Sequence, residues 1–202
     1  MTTDVDTREV PHGLQSFAVT CWQDMMKKLQ FEIDQFELTR PTDSGGDVRG
    51  YRALNVAWTA WHLHDWFFEG RMDGCDPHLA VLGGIFPEIR FDARRKADRL
   101  REFGNALAEK YVSLRICRAI TTAGKHGKSE RHPEYDLVTT GVQPFVIGTQ
   151  LLFQDVRIAF EGNYYDANDV FVRALQEWKD FFTSIGWDYP GSSRFMPYIP
   201  SP

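Results

Sequence analysis

Apolar residues recur at helical spacing from Gly13 to Thr39: Leu14, Phe17, Cys21, Met25, Leu29, Ile33 and Phe36. This predicts one long amphipathic helix. It should stop at Arg40-Pro41, because a residue before proline resists helical backbone. TDSGGD at 42–47 is turn chemistry, and Asp47 is a candidate N-cap for the next element. That element, YRALNVAWTAWHLHDWFFEG from Tyr51 to Gly70, holds three of the six tryptophans. As a helix it is apolar on almost every side, which predicts a central position covered by other helices. Leu54, Trp58, Trp61, Asp65 and Phe68 share one side, and Ala53, Ala57, Ala60, His64 and Phe67 the other. Asn55, Thr59, His62, Trp66 and Glu69 form a narrow stripe. A buried polar group without a partner costs roughly 1–3 kcal/mol, so the stripe predicts polar residues facing it from another helix.

Residues 71–91 read as loop, with a short helix around Pro77–Leu82. Asp92 is a candidate cap for a helix from about Ala93. Leu100, Phe103, Leu107, Tyr111, Leu114 and Arg118 carry helical spacing on to about Ala123, with a break at Gly104 or in AEKY. The polar, basic segment 124–136 reads as loop. The period then changes: Leu152, Val156, Ile158 and Phe160 alternate with Asp155, Arg157 and Glu161, a strand pattern. Glu161-Gly162-Asn163 is turn chemistry, with a short return at Tyr164-Tyr165 and a further strand within Leu137–Ile147. Asp166 caps a last helix with Val170, Ala174, Trp178, Phe181 and Ile185 on one face and Gly186 as its stop. The expected fold is mainly α: a helical bundle of four to five helices with a small antiparallel β element before the last helix. Residues 1–12 read as a disordered lead-in, 13–186 as a single helical domain, and 187–202 as an extended aromatic, proline-rich tail.

Composition narrows the class. With 202 residues the chain can bury a core without staples. Three cysteines, Cys21, Cys75 and Cys117, lack metal-ligand spacing and point to a reducing compartment rather than a disulfide framework. No apolar run reaches the roughly 18 residues of a membrane span, and the polar N-terminus is no signal peptide. A cytoplasmic protein without membrane contact is the expectation. The net charge of −5 is uneven: residues 94–131 carry 11 Lys/Arg against 4 Asp/Glu. Such a basic region can receive RNA or another phosphate-bearing ligand, or it can be a solvated face paired with acidic helices.

Two clusters carry candidate chemistry. In WHLHDW, His62 and Asp65 are three apart on a helix and can meet, with His64 between them. A carboxylate beside an imidazole orients it for acid–base work or metal binding, or simply locks packing. The HExxH and ExxH patterns of zinc and di-iron sites are absent, and no cofactor or phosphate-loop motif occurs, so no cofactor and no metal is expected. In CRAITTAGKHGK, Cys117 to Lys128, Arg118 precedes His126 on one helix. An arginine that holds a phosphate and a histidine that moves a proton suit phosphodiester cleavage. The same residues also suit a basic helix end, where cations favour the C-terminal dipole.

AWHLHDW followed by CRAITTAGKH, with EWKDFF at Glu177–Phe182, resembles an uncharacterised bacterial helical-bundle family with AWHL-x-DW and CR…KH helices, a short β segment and a final W-x-x-F helix. The likeness covers roughly residues 50–185 and implies architecture. The chain also resembles HEPN domains, helical bundles that are often dimeric and include RNases of toxin and defence systems. Their motif is an arginine, often followed by a polar residue, then four to six residues and a histidine. Here seven residues separate Arg118 from His126, and Ala119 follows the arginine. This resemblance implies Arg118 and His126 as the catalytic pair, His62 and Asp65 beside them, RNA as substrate and a homodimer. The alternative is a non-enzymatic interaction protein whose polar seam packs the bundle.

Overall fold

The computed structural model describes residues 19, 21–39, 47–69, 79–89, 95–126, 139–147 and 150–186. The expected lead-in and tail lie outside them, as do Asp92 and Cys75. Among the described residues five long helices form a bundle: α1 (Trp22–Leu38), α2 (Asp47–Glu69), α4 (Lys96–Lys110), α5 (Val112–His126) and α6 (Ala167–Ser184). The short α3 (Leu79–Ile85) lies between α2 and α4 in the chain. Before α6 come β1 (Thr139–Ile147), β2 (Gln150–Phe160) and β3 (Asn163–Asp166), an antiparallel sheet in the order β1-β2-β3. Among the described residues no helix is long and apolar enough to cross a membrane.

The helix ends follow local chemistry, with two departures from expectation. The first helix starts at Trp22, because Cys21 is extended, at φ −152° and ψ 171°, and serves as its N-cap. It stops at Leu38, just before Arg40-Pro41, and the Thr39 hydroxyl donates to the Gln35 carbonyl at 2.7 Å. The fourth helix starts at Lys96 with Arg95 as N-cap, not near Ala93 under Asp92. Arg95 has no side-chain acceptor to offer. Instead Asp98, in the first turn, complements the positive helix end and accepts from Arg95 and Arg101, both at 3.1 Å. The break falls at Tyr111, in AEKY, and not at Gly104. Asp166 caps α6 as expected, accepting from the Asn168 amide at 2.9 Å.

In β2, Val156, Ile158 and Phe160 are buried while Arg157 and Ala159 are half-buried. The β2–β3 turn puts Glu161 and Gly162 both at positive φ, 49° and 76°. Both central residues of a two-residue hairpin turn need this to match strand twist. Glycine takes it freely, whereas at Glu161 it costs roughly 1–2 kcal/mol.

Aromatic rings fill the centre. Trp178, Phe181 and Phe182 of α6 are fully buried, Trp22 stacks on Phe182 at 4.1 Å, and Phe103 of α4 meets Phe181 at 5.8 Å. The indole N–H of Trp178 donates to the Ala60 carbonyl at 2.9 Å, tying α6 to the middle of α2. α2 packs against α1, α4, α5, α6 and β2. It is not covered all round, however. Tyr51 is 66% and Trp58 41% exposed, and with Val48 and Asn55 they lie on one open stripe between α1 and α5. Aromatic rings near an edge keep one side in solvent, which an apolar count does not register.

Candidate functional site

The open stripe of α2 leads to WHLHDW. His62 Nδ1 lies 2.6 Å from Asp65 Oδ2, the side-by-side contact that a spacing of three predicts. A carboxylate oxygen only accepts, so His62 Nδ1 donates this bond and Nε2 is left outside it. The His62 side chain is 42% exposed. The partner of this stripe residue is thus on its own helix. The expected partner from another helix appears one turn earlier, where Lys28 of α1 donates to Thr59 Oγ1 at 2.6 Å.

His64 points the other way and is buried. Its Nδ1 is 2.6 Å from the Trp61 carbonyl, which only accepts, so this nitrogen is also the protonated one. His64 Nε2 comes within 3.3 Å of the other Asp65 oxygen. One carboxylate therefore stands between two imidazoles. Burial holds the His64 pKa below the usual histidine value, Asp65 and the Trp61 carbonyl oppose this, and the charges of His62 and Arg118 add to the lowering. A histidine that prefers to stay neutral when folded favours the folded state above its unfolded pKa, about 6.5. That stability is lost as pH falls from there through the folded pKa. Urea titrations at pH 7.5 and pH 5 should show a drop in wild type that is smaller in His64→Gln. Equal drops would assign the acid sensitivity elsewhere.

Arg118 reaches the same segment from α5. Its guanidinium lies 5.2 Å from the centre of the Trp61 ring, a cation–π contact. α5 runs antiparallel to α2 here: Arg118 is level with Trp61 and His64, while Gly124 is level with Leu54 and Trp58. Gly104 of α4 closes the seam, since a Cβ there would lie 3.2 Å from His64 Nε2. Arg118 thus adjoins the Trp61 and His64 side of the two-turn segment that also carries His62 and Asp65. His126 ends α5 eight residues beyond Arg118, about 12 Å further along the axis at 1.5 Å per residue and towards the Leu54 level. Its side chain lies outside the described ones.

Much of the basic region is internally engaged. Arg95 and Arg101 hold Asp98, Arg115 holds Glu161 at 3.0 Å, and Lys110 lies over the Phe86 and Tyr111 rings. Cys117 is fully buried, and burial pushes its thiol pKa far up, as for a core residue. Among the described residues no group of three or more His, Cys, Asp or Glu side chains is placed to hold a metal ion.

Two contributors were not singled out from sequence. Glu177 of α6 accepts the backbone N–H groups of Ser113 at 3.1 Å and Leu114 at 3.0 Å, so a distant helix caps the start of α5. Burial nevertheless raises the Glu177 pKa, against the lowering effect of these bonds. Glu177→Ala should cost about 2 kcal/mol through two stranded donors, and Glu177→Gln, which keeps one acceptor, less. Urea denaturation of both variants checks the order. The second contributor is the Trp61 ring, the platform for Arg118. No family model matches the chain, and no curated protein or solved structure shows significant similarity to it.

Proposed function

We propose that the protein acts on RNA phosphodiesters, in the manner of HEPN-like RNases, with His62 as the acid–base group, Asp65 as its orienter and Arg118 as the cation beside it. The observation that carries this reading is the 2.6 Å contact between Asp65 and a half-exposed imidazole. It fixes the tautomer and leaves Nε2 to exchange protons with a ligand. A guanidinium held against Trp61 supplies positive charge to a phosphate in the same neighbourhood. In such a reaction His62 Nε2 takes the proton of a ribose 2′-hydroxyl, the freed oxygen attacks phosphorus, and the P–O5′ bond breaks. The leaving 5′-oxygen takes up a proton from water, His62 returns its proton to solvent, and a 2′,3′-cyclic phosphate remains. His126, which the HEPN resemblance pairs with Arg118, is here the more distant imidazole along the backbone.

The test is an RNA cleavage and binding assay on wild type, Arg118→Ala and the Arg118→Ala/His126→Ala double variant. It is run at low and moderate salt, with circular dichroism to confirm folding. Cleavage of RNA but not of the matching DNA, lost in folded Arg118→Ala, is the expected result. No cleavage and no salt-dependent binding by wild type would sink the reading.

A second reading is favoured by the Arg118–Trp61 contact and the His64 bond to the Trp61 carbonyl. Both are interactions that also serve only to lock α2 against α5. On that reading the protein is a non-enzymatic interaction module.

A further inference from the structure

α4, α5 and the β2–β3 turn form a cleft of about 250 Å³ that shares Arg118 with the seam at Trp61. It is lined by Asn105, Glu109, Arg115, Arg118, Phe160 and Glu161. Arg115 Nη2 donates to Glu161 Oε2 at 3.0 Å, while its Nε is buried and has no hydrogen-bond partner among the described residues. Nε and Nη2 share one edge of the guanidinium, the edge that grips an oxyanion through two parallel bonds. Glu161 fills only half of that grip. It does so from a left-handed backbone conformation that a glutamate rarely adopts, and its side chain is exposed enough to swing away. Arg118, three residues along α5, brings a second guanidinium to the same cleft.

We infer that this cleft is a phosphate-binding site, in which a phosphate monoester takes both N–H groups of the Arg115 edge and displaces the Glu161 carboxylate that stands in for it. A free carboxylate is a poor competitor, because Glu161 already offers that group at high effective concentration. A phosphate dianion brings more charge and three terminal oxygens. These can engage Arg115, the Arg118 charge and the Asn105 amide together. Glu109 on the α4 side opposes anions. The cleft thus turns net positive only when Glu161 gives way, which makes Glu161 the competitor that sets affinity. The inference does not depend on the acid–base reading of His62.

The test is a titration of the full chain with inorganic phosphate up to about 10 mM, followed by calorimetry and phosphorus NMR. A short RNA is then compared with and without a 5′-phosphate. Wild type should bind phosphate, Glu161→Gln should bind it about tenfold more tightly, and Arg115→Gln about tenfold more weakly. Circular dichroism accompanies each variant, and if Arg115→Gln does not fold, Glu161→Gln alone decides. A matching preference for the 5′-phosphorylated RNA identifies a strand end as the source of the phosphate. Binding of inorganic phosphate without that preference identifies a small free ligand. Absence of binding in both wild type and Glu161→Gln, or equal affinity in the two, would overturn the proposal.

Discussion

Trp178→Ala is expected to remove about 3–5 kcal/mol of stability, a large share of the roughly 5–15 kcal/mol that holds a domain folded. Trp178 is fully buried, and its ring packs 5.6 Å from both Phe181 and Phe182. Alanine would leave a cavity among rings too rigid to collapse into it, so the loss includes a cavity cost as well as transfer of the indole. Trp178→Phe isolates the other contribution. It keeps most ring contacts and deletes the N–H that reaches the Ala60 carbonyl at 2.9 Å. That carbonyl lies mid-helix in α2 and keeps its helical hydrogen bond, so the deletion should cost only about 1–2 kcal/mol including the smaller ring. Urea denaturation followed by circular dichroism measures both. An alanine variant within about 1 kcal/mol of wild type would mean that α6 is not the pillar against which the other helices pack.

What could be seen in advance divides along the distance between partners in the chain. Helical spacing placed α1, α4, α5 and α6, and the alternation of Val156, Ile158 and Phe160 placed β2, because each pattern repeats within a few residues. Asp166 was readable for the same reason, since its partner is the amide two residues on. The His62–Asp65 contact is equally local. By contrast, nothing in WHLHDW says which imidazole faces water. His64 is buried and His62 half-exposed because α5 and Gly104 of α4 meet one side of α2, a tertiary fact. The same holds for Glu177 on the Ser113 and Leu114 amides and for Arg115 on Glu161, pairs separated by long stretches of chain. The start of α4 was misread through Asp92 because acidic residues stand at several candidate caps. The observed cap is Arg95, which offers no side-chain acceptor, and the acidic residue that complements the helix end is Asp98 inside the first turn. Tyr51 and Trp58 show the opposite failure: large rings read as core, yet α2 leaves them on its open edge.

His62→Ala is expected to reduce RNA cleavage by about 10²–10⁴-fold, the usual contribution of a positioned acid–base group. The same substitution should change stability by less than about 1 kcal/mol, because the side chain is half-exposed and bonds a solvent-accessible carboxylate. This separation makes the experiment decisive: a large kinetic loss in a protein of near-normal stability cannot be ascribed to unfolding. Asp65→Asn refines the argument. Asparagine preserves shape but brings an NH₂ group that can face His62 Nδ1, which would move the imidazole proton to Nε2 and remove the outward base. A loss of about tenfold to a hundredfold, concentrated in kcat with KM little changed, is the signature of an orienting carboxylate. If Asp65→Asn instead raises KM alone, Asp65 shapes the ligand surface and His62 is not the proton carrier. If His62→Ala cleaves like wild type, the acid–base reading ends. The 2.6 Å contact would then be a local side-chain pairing within one turn of α2.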